Sequence, residues 1–159
     1  GDDRTENPFA IHDELQSLMN SLVGIIRRAD EMEEALTRLQ DLKVRAAKAK
    51  ATGGREYNPG LHLALDLQKQ LLISECIAKA ALTRQESRGG HTRDDFPDMD
   101  PEWRKVNLVC RLDDGQIDIQ TQALPTIPQE LLALFDVSEL KKYMTAEELA
   151  SMTQGTADA

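Results

Sequence analysis

Within ten residues the chain gathers Arg84, Arg88, His91 and Arg93 around the Gly89-Gly90 pair. A guanidinium is a planar fork of donors that suits bidentate contact with carboxylate or phosphate. Cations at the C-terminal end of a helix also complement its dipole. Two readings of the segment follow. It is a docking loop set against another domain, near an anionic ligand, or it is a helix cap whose cations pair with Asp94, Asp95, Asp98, Asp100 and Glu102. Residue chemistry alone favours the cap.

No other part of the chain assembles a reaction centre. A nucleophilic Ser or Cys needs a positioned base and an oxyanion site, and neither a Gly-x-Ser-x-Gly elbow nor a Cys-His-acid set occurs. There is no P-loop and no Gly-x-Gly-x-x-Gly fingerprint. Cys76 and Cys110 lack a second Cys or a His at metal-ligand spacing, so free thiols in a reducing compartment are expected. His12 and His62 sit within helical patterns and are assigned structural roles, and the carboxylates are distributed as on solvated helix faces. The expectation is therefore of no catalytic, cofactor-binding or metal-binding residue in this chain. A net charge of −9 leaves no clustered basic face for nucleic acid. No run approaches the roughly 20 apolar residues that span a bilayer, and no signal peptide is legible.

The elements that position the arginine segment follow from periodicity. With 40% hydrophobic, 30% charged and only 4% aromatic residues, the 159-residue chain has the composition of one mainly helical domain with a tail. Asn7-Pro8 opens a first helix, in which Ile11, Leu15, Leu18, Leu22 and Ile25 mark one apolar face. A break at 24–29 leads to a second helix capped at Asp30 with Glu33, carrying Met32, Ala35, Leu39, Leu42, Ala46 and Ala49 up to Thr52-Gly53-Gly54. Asn58-Pro59 opens the longest helix, expected to run to about Ser87 and to end at Gly89-Gly90. This third helix is apolar on two sides. Leu61, Leu65, Leu72, Cys76 and Ala80 mark one, and Leu63, Leu67, Leu71, Ile77 and Ala81 the other, so part of its surface must meet the C-terminal segment or a further domain.

Alternation of Val106, Leu108 and Cys110, a turn at Asp113-Asp114-Gly115, and Ile117 with Ile119 predict a β-hairpin. Pro125 and Pro128 precede a short amphipathic stretch at 131–134, Thr145 with Glu148 has capping-box spacing, and 155–159 are expected to be disordered. The fold class is thus mainly α, an antiparallel three-helix bundle followed by a β-hairpin and a short-helix tail. Its expected divisions are 7–90 for the bundle, 91–124 for the acidic loop and hairpin packed on it, and 125–159 for the tail. The absence of an initiator Met before Gly1 suggests an excised piece of a longer protein with a cloning remnant at its front.

The stretch Glu86-Ser87-Arg88-Gly89-Gly90-His91-Thr92-Arg93-Asp94-Asp95-Phe96-Pro97, followed by Trp103, Arg104 and Lys105, closely resembles a signature in the C-terminal domain of succinate dehydrogenase and fumarate reductase flavoprotein subunits. Residues 19–27, with the Leu-Val-Gly-Ile-Ile-Arg core, resemble the first bundle helix of that domain, and the helix start at Asn58 fits as well. The resemblance covers 7 to about 121, with the tail after Leu124 more generic.

The resemblance implies a parent protein that binds FAD in an N-terminal domain and interconverts succinate and fumarate where the FAD domain meets a capping domain. The flavin-linking, FAD-binding and substrate-binding residues would all precede Gly1. It also implies an iron–sulfur subunit, a membrane anchor and a place at the cytoplasmic face of the inner membrane. In such a parent, Arg84, Arg88, His91 and Arg93 are the expected interdomain docking residues. L-aspartate oxidase shares the architecture and a related Arg-Gly-His-Arg segment, but the hairpin and long tail look more like succinate dehydrogenase. A free-standing helical adaptor is the alternative of a different class.

Overall fold

The computed structural model describes residues 5–155. Helix α1 (Pro8–Leu22) begins where Asn7 Oδ1 accepts the Phe9 amide at 2.9 Å and Pro8 occupies the first turn. Pro8, Ile11, Leu15 and Leu18 are buried along one face. Ile25 does not share that face and is 75% exposed. The helix has already ended at Leu22, and the chain leaves through β1 (Ile26–Arg27).

Helix α2 (Ala29–Ala46) starts one residue before the expected cap. Arg28 is the N-cap and makes no side-chain cap bond, while Asp30 lies inside the first turn, where its charge complements the helix dipole. Met32, Ala35, Leu39, Leu42 and Ala46 are buried as their three-four rhythm requires. Ala49 lies beyond the helix and forms a parallel bridge with Glu6, so the segment before α1 is tied to the exit of α2.

Helix α3 (Pro59–Thr83) is opened by Asn58, whose Oδ1 accepts the Leu61 amide at 3.0 Å while its Nδ2 donates to the carbonyls of Thr52 and Gly54 at 3.0 and 2.7 Å. One side chain thereby caps the helix and fixes the turn before it. Asn58→Ala is expected to lower the unfolding free energy by about 1–2 kcal/mol, measurable by urea denaturation.

The buried stripe of α3 is Leu67, Leu71, Ser74, Ala78 and Ala81, with Glu75 beside it. Ile77, placed by pattern on a core face, is exposed, as are Leu65 and Ile73. Of the second expected face, Leu67, Leu71 and Ala81 are in this stripe, while Ser74 and Ala78 take the positions between them and Ile77 falls outside it. Each of the three long helices contacts the other two, around a core of Ile11, Leu15, Leu18, Ala35, Leu39, Leu42, Leu67, Leu71 and Ala78. The described residues are mainly helical, with a small antiparallel sheet.

That sheet is the hairpin β3 (Val106–Asp113) and β4 (Gln116–Ala123), in register from Val106 opposite Ala123 to Asp113 opposite Gln116. Asp114 and Gly115, at φ 45° and 77°, make the left-handed two-residue turn whose twist matches that of the strands. A short parallel pair, β1 with β2 (Thr92–Arg93), joins the exit of α1 to the arginine loop, and a 3₁₀ turn (Trp103–Lys105) leads into β3. The hairpin packs on α3, burying Ile117.

The tail carries α4 (Gln129–Leu132), α5 (Val137–Leu140) and α6 (Ala146–Gly155). The stretch expected at 131–134 is helical only to Leu132, which is buried, and Leu134 is exposed. Thr145 and Glu148 form the reciprocal capping box, at 2.8 and 3.2 Å. An ion pair of Arg104 with Glu148, at 2.6 Å, fastens α6 to the 3₁₀ turn. Gly155, expected to be disordered, ends α6, and 156–159 lie outside the described residues. Among the described residues no helix is long and apolar enough to cross a membrane.

Candidate functional site

The arginine segment lies after α3, and α3 stops earlier than the glycines predict. Thr83 is the last helical residue and Arg84 turns extended, six residues before Gly90. The reason is tertiary. Arg93 folds back and donates from Nη1 to the carbonyls of Ala81, Leu82 and Arg84 at 2.9, 3.0 and 3.2 Å, taking acceptors that a continuing helix would have used. Gly89-Gly90 instead form a tight reversal in which Arg88 and His91 exchange backbone hydrogen bonds at 2.7 and 3.0 Å. Gly89 sits there at φ 59°, which favours glycine.

Arg93 is only 1% exposed. Its charge is met by Asp95 in a bidentate pair, Nε to Oδ1 and Nη2 to Oδ2, both at 2.7 Å. Asp95 Oδ2 also accepts the Ala29 amide at 3.2 Å, one of the free N–H groups at the start of α2. The pair thus sets a cation on the negative end of α3 and an anion on the positive end of α2, and both dipoles are satisfied by one contact. Hydrogen bonding from Arg93 holds the Asp95 carboxyl down at about 2. The Arg93 guanidinium also stacks over Phe96, 5.0 Å from the ring centre.

Arg84 and Arg88 converge on Glu86, a fully buried carboxylate. Arg84 Nη1 donates to Oε1 at 2.6 Å, Arg88 Nη2 donates to Oε2 at 2.9 Å, and the Asp100 amide adds a bond at 3.0 Å. Burial opposes the charge on Glu86, but the bonds from Arg88, the Asp100 amide and Arg84 overcome it and hold the carboxyl below its usual range. Arg84 continues to the carbonyls of Trp103 and Val106, both at 3.1 Å, and lies over the Trp103 ring. It ties the helix end to the start of the hairpin. Ser87 completes the knot by accepting the Arg93 amide and donating to the Phe96 carbonyl, each at 2.8 Å.

His91 joins this network through Arg27, which sequence reasoning did not nominate. Arg27 Nη1 lies 2.7 Å from His91 Nδ1, and His91 Nε2 lies 3.1 Å from the Arg84 carbonyl. A guanidinium only donates, so Nδ1 accepts, and Nε2 carries the proton that the carbonyl takes. The ring is therefore neutral. Burial is the main cause of its lowered pKa, with the charges of Arg27, Arg93 and Arg84 acting the same way against the pull of the Arg84 carbonyl. A folded pKa below the unfolded value of 6.5 costs no stability above that pH, and the cost grows as pH falls toward the folded pKa. Nitrogen-detected NMR at about pH 7 should show the Nε2–H tautomer, with protonation only at lower pH.

The structure therefore brings Arg84, Arg88, His91 and Arg93 together, facing inward. Of the acids named as partners, Asp95 makes an ion pair with them, whereas Asp100 contributes its amide and carbonyl and Glu102 pairs with Lys105. The principal anion, Glu86, was missed. Its place inside the signature itself, two residues from each of two arginines, was the available signal. A second missed group is Glu75, buried in α3 and paired with Lys43 of α2 and with Lys79 at 2.9 Å. Lys79 also donates to the Ile117 carbonyl of β4 at 3.1 Å, linking α2, α3 and the hairpin. His12 bonds Gln70 across α1 and α3 at 3.0 Å. Among the described residues no group of three His, Cys, Asp or Glu side chains is placed to hold a metal ion.

The class these features define is a helical domain whose clustered charges are matched to one another and to helix ends. The family model described as fumarate reductase flavoprotein C-term matches residues 12–146, and the chain belongs to that family. It is 35% identical, over 70% of its length, to the succinate dehydrogenase flavoprotein subunit of Coxiella burnetii, of which it covers 19%. Its structure matches that of Mycobacterium smegmatis Sdh1 with a TM-score of 0.83 and 54% identity, covering 91% of this chain and 25% of that one. L-aspartate oxidase of Streptomyces coelicolor is more distant, at 31% identity over 72% of this chain and 20% of the relative. The chain thus spans about a fifth to a quarter of these relatives. The resemblance carried by the arginine signature is borne out, and the aspartate oxidase alternative falls behind it.

Proposed function

We propose that the chain is the C-terminal supporting domain of an FAD-dependent succinate dehydrogenase/fumarate reductase flavoprotein subunit, whose parent interconverts succinate and fumarate. The single observation that carries this reading is the 54% identity to Sdh1 across 91% of the chain, at a TM-score of 0.83. In this reading 7–90 form an antiparallel three-helix bundle, 91–124 pack on it as acidic loop and hairpin, and 125–159 are the tail. Its partners are the FAD-binding and capping domains of the same chain, with an iron–sulfur subunit and a membrane anchor in the parent complex at the cytoplasmic face of the inner membrane.

The guanidiniums of Arg84, Arg88 and Arg93 are bound to Glu86 and Asp95 and so are not free to hold the phosphates of FAD. This favours a supporting role for the domain. By holding the end of α3, the start of α2 and the root of the hairpin in one network, Arg84, Arg88, His91 and Arg93 fix the surface that docks on the flavoprotein body. The exposed Leu65, Ile73 and Ile77 of α3 supply apolar area for that contact.

In the full-length parent, Arg88→Gln or Arg93→Gln should lower flavin content and thermal stability before substrate affinity changes, measured by flavin absorbance per protein and by KM. Unchanged flavin content with a selective rise in KM would instead give these residues a direct role at the substrate. The isolated chain, mixed with FAD and succinate, should neither retain flavin nor reduce a dye.

A further inference from the structure

Outside the arginine network, the fold places the chain's two cysteines against each other. Cys76 lies on α3 and Cys110 on β3, and the Cys110 thiol points at the Cys76 carbonyl, with Sγ 3.9 Å from the oxygen. The Cys110 thiol is also close enough to help raise the pKa of the Cys76 thiol. Both are free, Cys110 exposed and Cys76 half-buried. The surrounding contacts hold this approach in place. Lys79, three residues along α3 from Cys76, donates to the Ile117 carbonyl of β4, and Cys110 is paired with Ile119 in the hairpin register.

We propose that Cys76 and Cys110 form a reversible redox pair, which a low-molecular-weight disulfide closes into an intrachain bond stapling the hairpin to α3. The exposed thiol acts first. The Cys110 thiolate attacks one sulfur of the small disulfide, forming a mixed disulfide and releasing one small thiolate. The Cys76 thiolate then attacks the Cys110 sulfur, forms the intrachain bond and expels the second small thiolate. Two protein thiols are oxidised, one small disulfide is reduced to two small thiols, and the two protein protons pass through solvent to the released thiolates. Burial raises the Cys76 pKa, and the neighbouring Cys110 adds to this, so Cys76 holds less thiolate and enters second, in an intramolecular attack where proximity offsets that smaller fraction. Closure joins residues 34 apart in sequence, so it restricts the unfolded chain and fixes the hairpin on the helix.

The test is to incubate the intact 159-residue chain with oxidised glutathione, block remaining thiols, and read intact mass and non-reducing peptide maps. The expected result is a loss of about 2 Da, a linked peptide joining Cys76 to Cys110, reversal by dithiothreitol, and a Tm about 5 °C or more above that of the reduced chain. Cys76→Ser should stop the reaction at a stable glutathione adduct on Cys110, and Cys110→Ser should abolish the Tm rise. In the unsubstituted chain, a persistent adduct on Cys110, an interchain dimer, or no oxidation at either cysteine would each overturn the proposal.

Discussion

Arg93→Met should destabilise the domain by about 3–5 kcal/mol, the cost of removing one partner from a buried ion pair. Methionine keeps much of the apolar volume but none of the donors. Three carbonyls at the end of α3 lose their shared guanidinium, and Asp95 keeps its charge beside Phe96 and the start of α2 with no cation against it. Urea denaturation should show the loss as a lower midpoint at nearly unchanged slope. The double substitution Arg93→Met with Asp95→Asn should recover part of it, because the orphaned charge is removed while the carbonyls stay unsatisfied. A single variant within about 1 kcal/mol of the parent chain would mean that solvent replaces the guanidinium, and that the return of Arg93 is not what ends α3.

Glu86→Gln ranks next, with an expected loss of about 3 kcal/mol. The amide preserves shape, but it leaves Arg84 and Arg88 facing each other with no anion between them, and it turns an NH₂ toward donors. Because the carboxylate is fully buried, the loss should change little between low and moderate salt, unlike that of an exposed pair. The pH dependence has a fixed sign. Glu86 and Asp95 are both held below their unfolded values of 4.5 and 3.8, so their contributions are complete above those values and disappear as pH falls through the folded pKa values. For Asp95 that window ends at about 2. Acid titration of the Glu86→Gln and Asp95→Asn variants, followed by circular dichroism, should therefore show a shallower loss of stability below about pH 4 than the unsubstituted chain.

These two residues also bear on how the domain would serve a flavoprotein. A support that must hold a shape gains from charges matched internally, since each pair joins elements distant in sequence. Arg93 with Asp95 joins α3 to α2, and Arg84 with Glu86 joins α3 to the hairpin root. Arg27 is different. Its guanidinium bonds His91 and the Gly24 carbonyl and has no carboxylate partner among the described residues.

Much of this molecule is legible in one dimension. Asn7-Pro8 and Asn58-Pro59 announce two helix starts, because a capping amide and a preset φ act on their own neighbours. The rhythm of α2 gives its core face, and Asp114-Gly115 places the hairpin turn, since only a few residues tolerate left-handed backbone. The arginine signature points to the family. Where the chain's own neighbours do not decide, pattern misleads. Gly89-Gly90 mark an expected end for α3, yet the helix stops at Thr83 because Arg93, ten residues on, returns to take its carbonyls. Ile25 and Ile77 fit apolar stripes but lie exposed, while Ser74, Glu75 and Glu86 are buried. A polar side chain enters a core only when partners from other segments meet it, as Lys43 meets Glu75 and the Asp100 amide meets Glu86. Local order along the chain thus settles which elements form and which residues carry charge. Which charges meet is decided in three dimensions, because burial and pairing depend on segments that periodicity cannot relate.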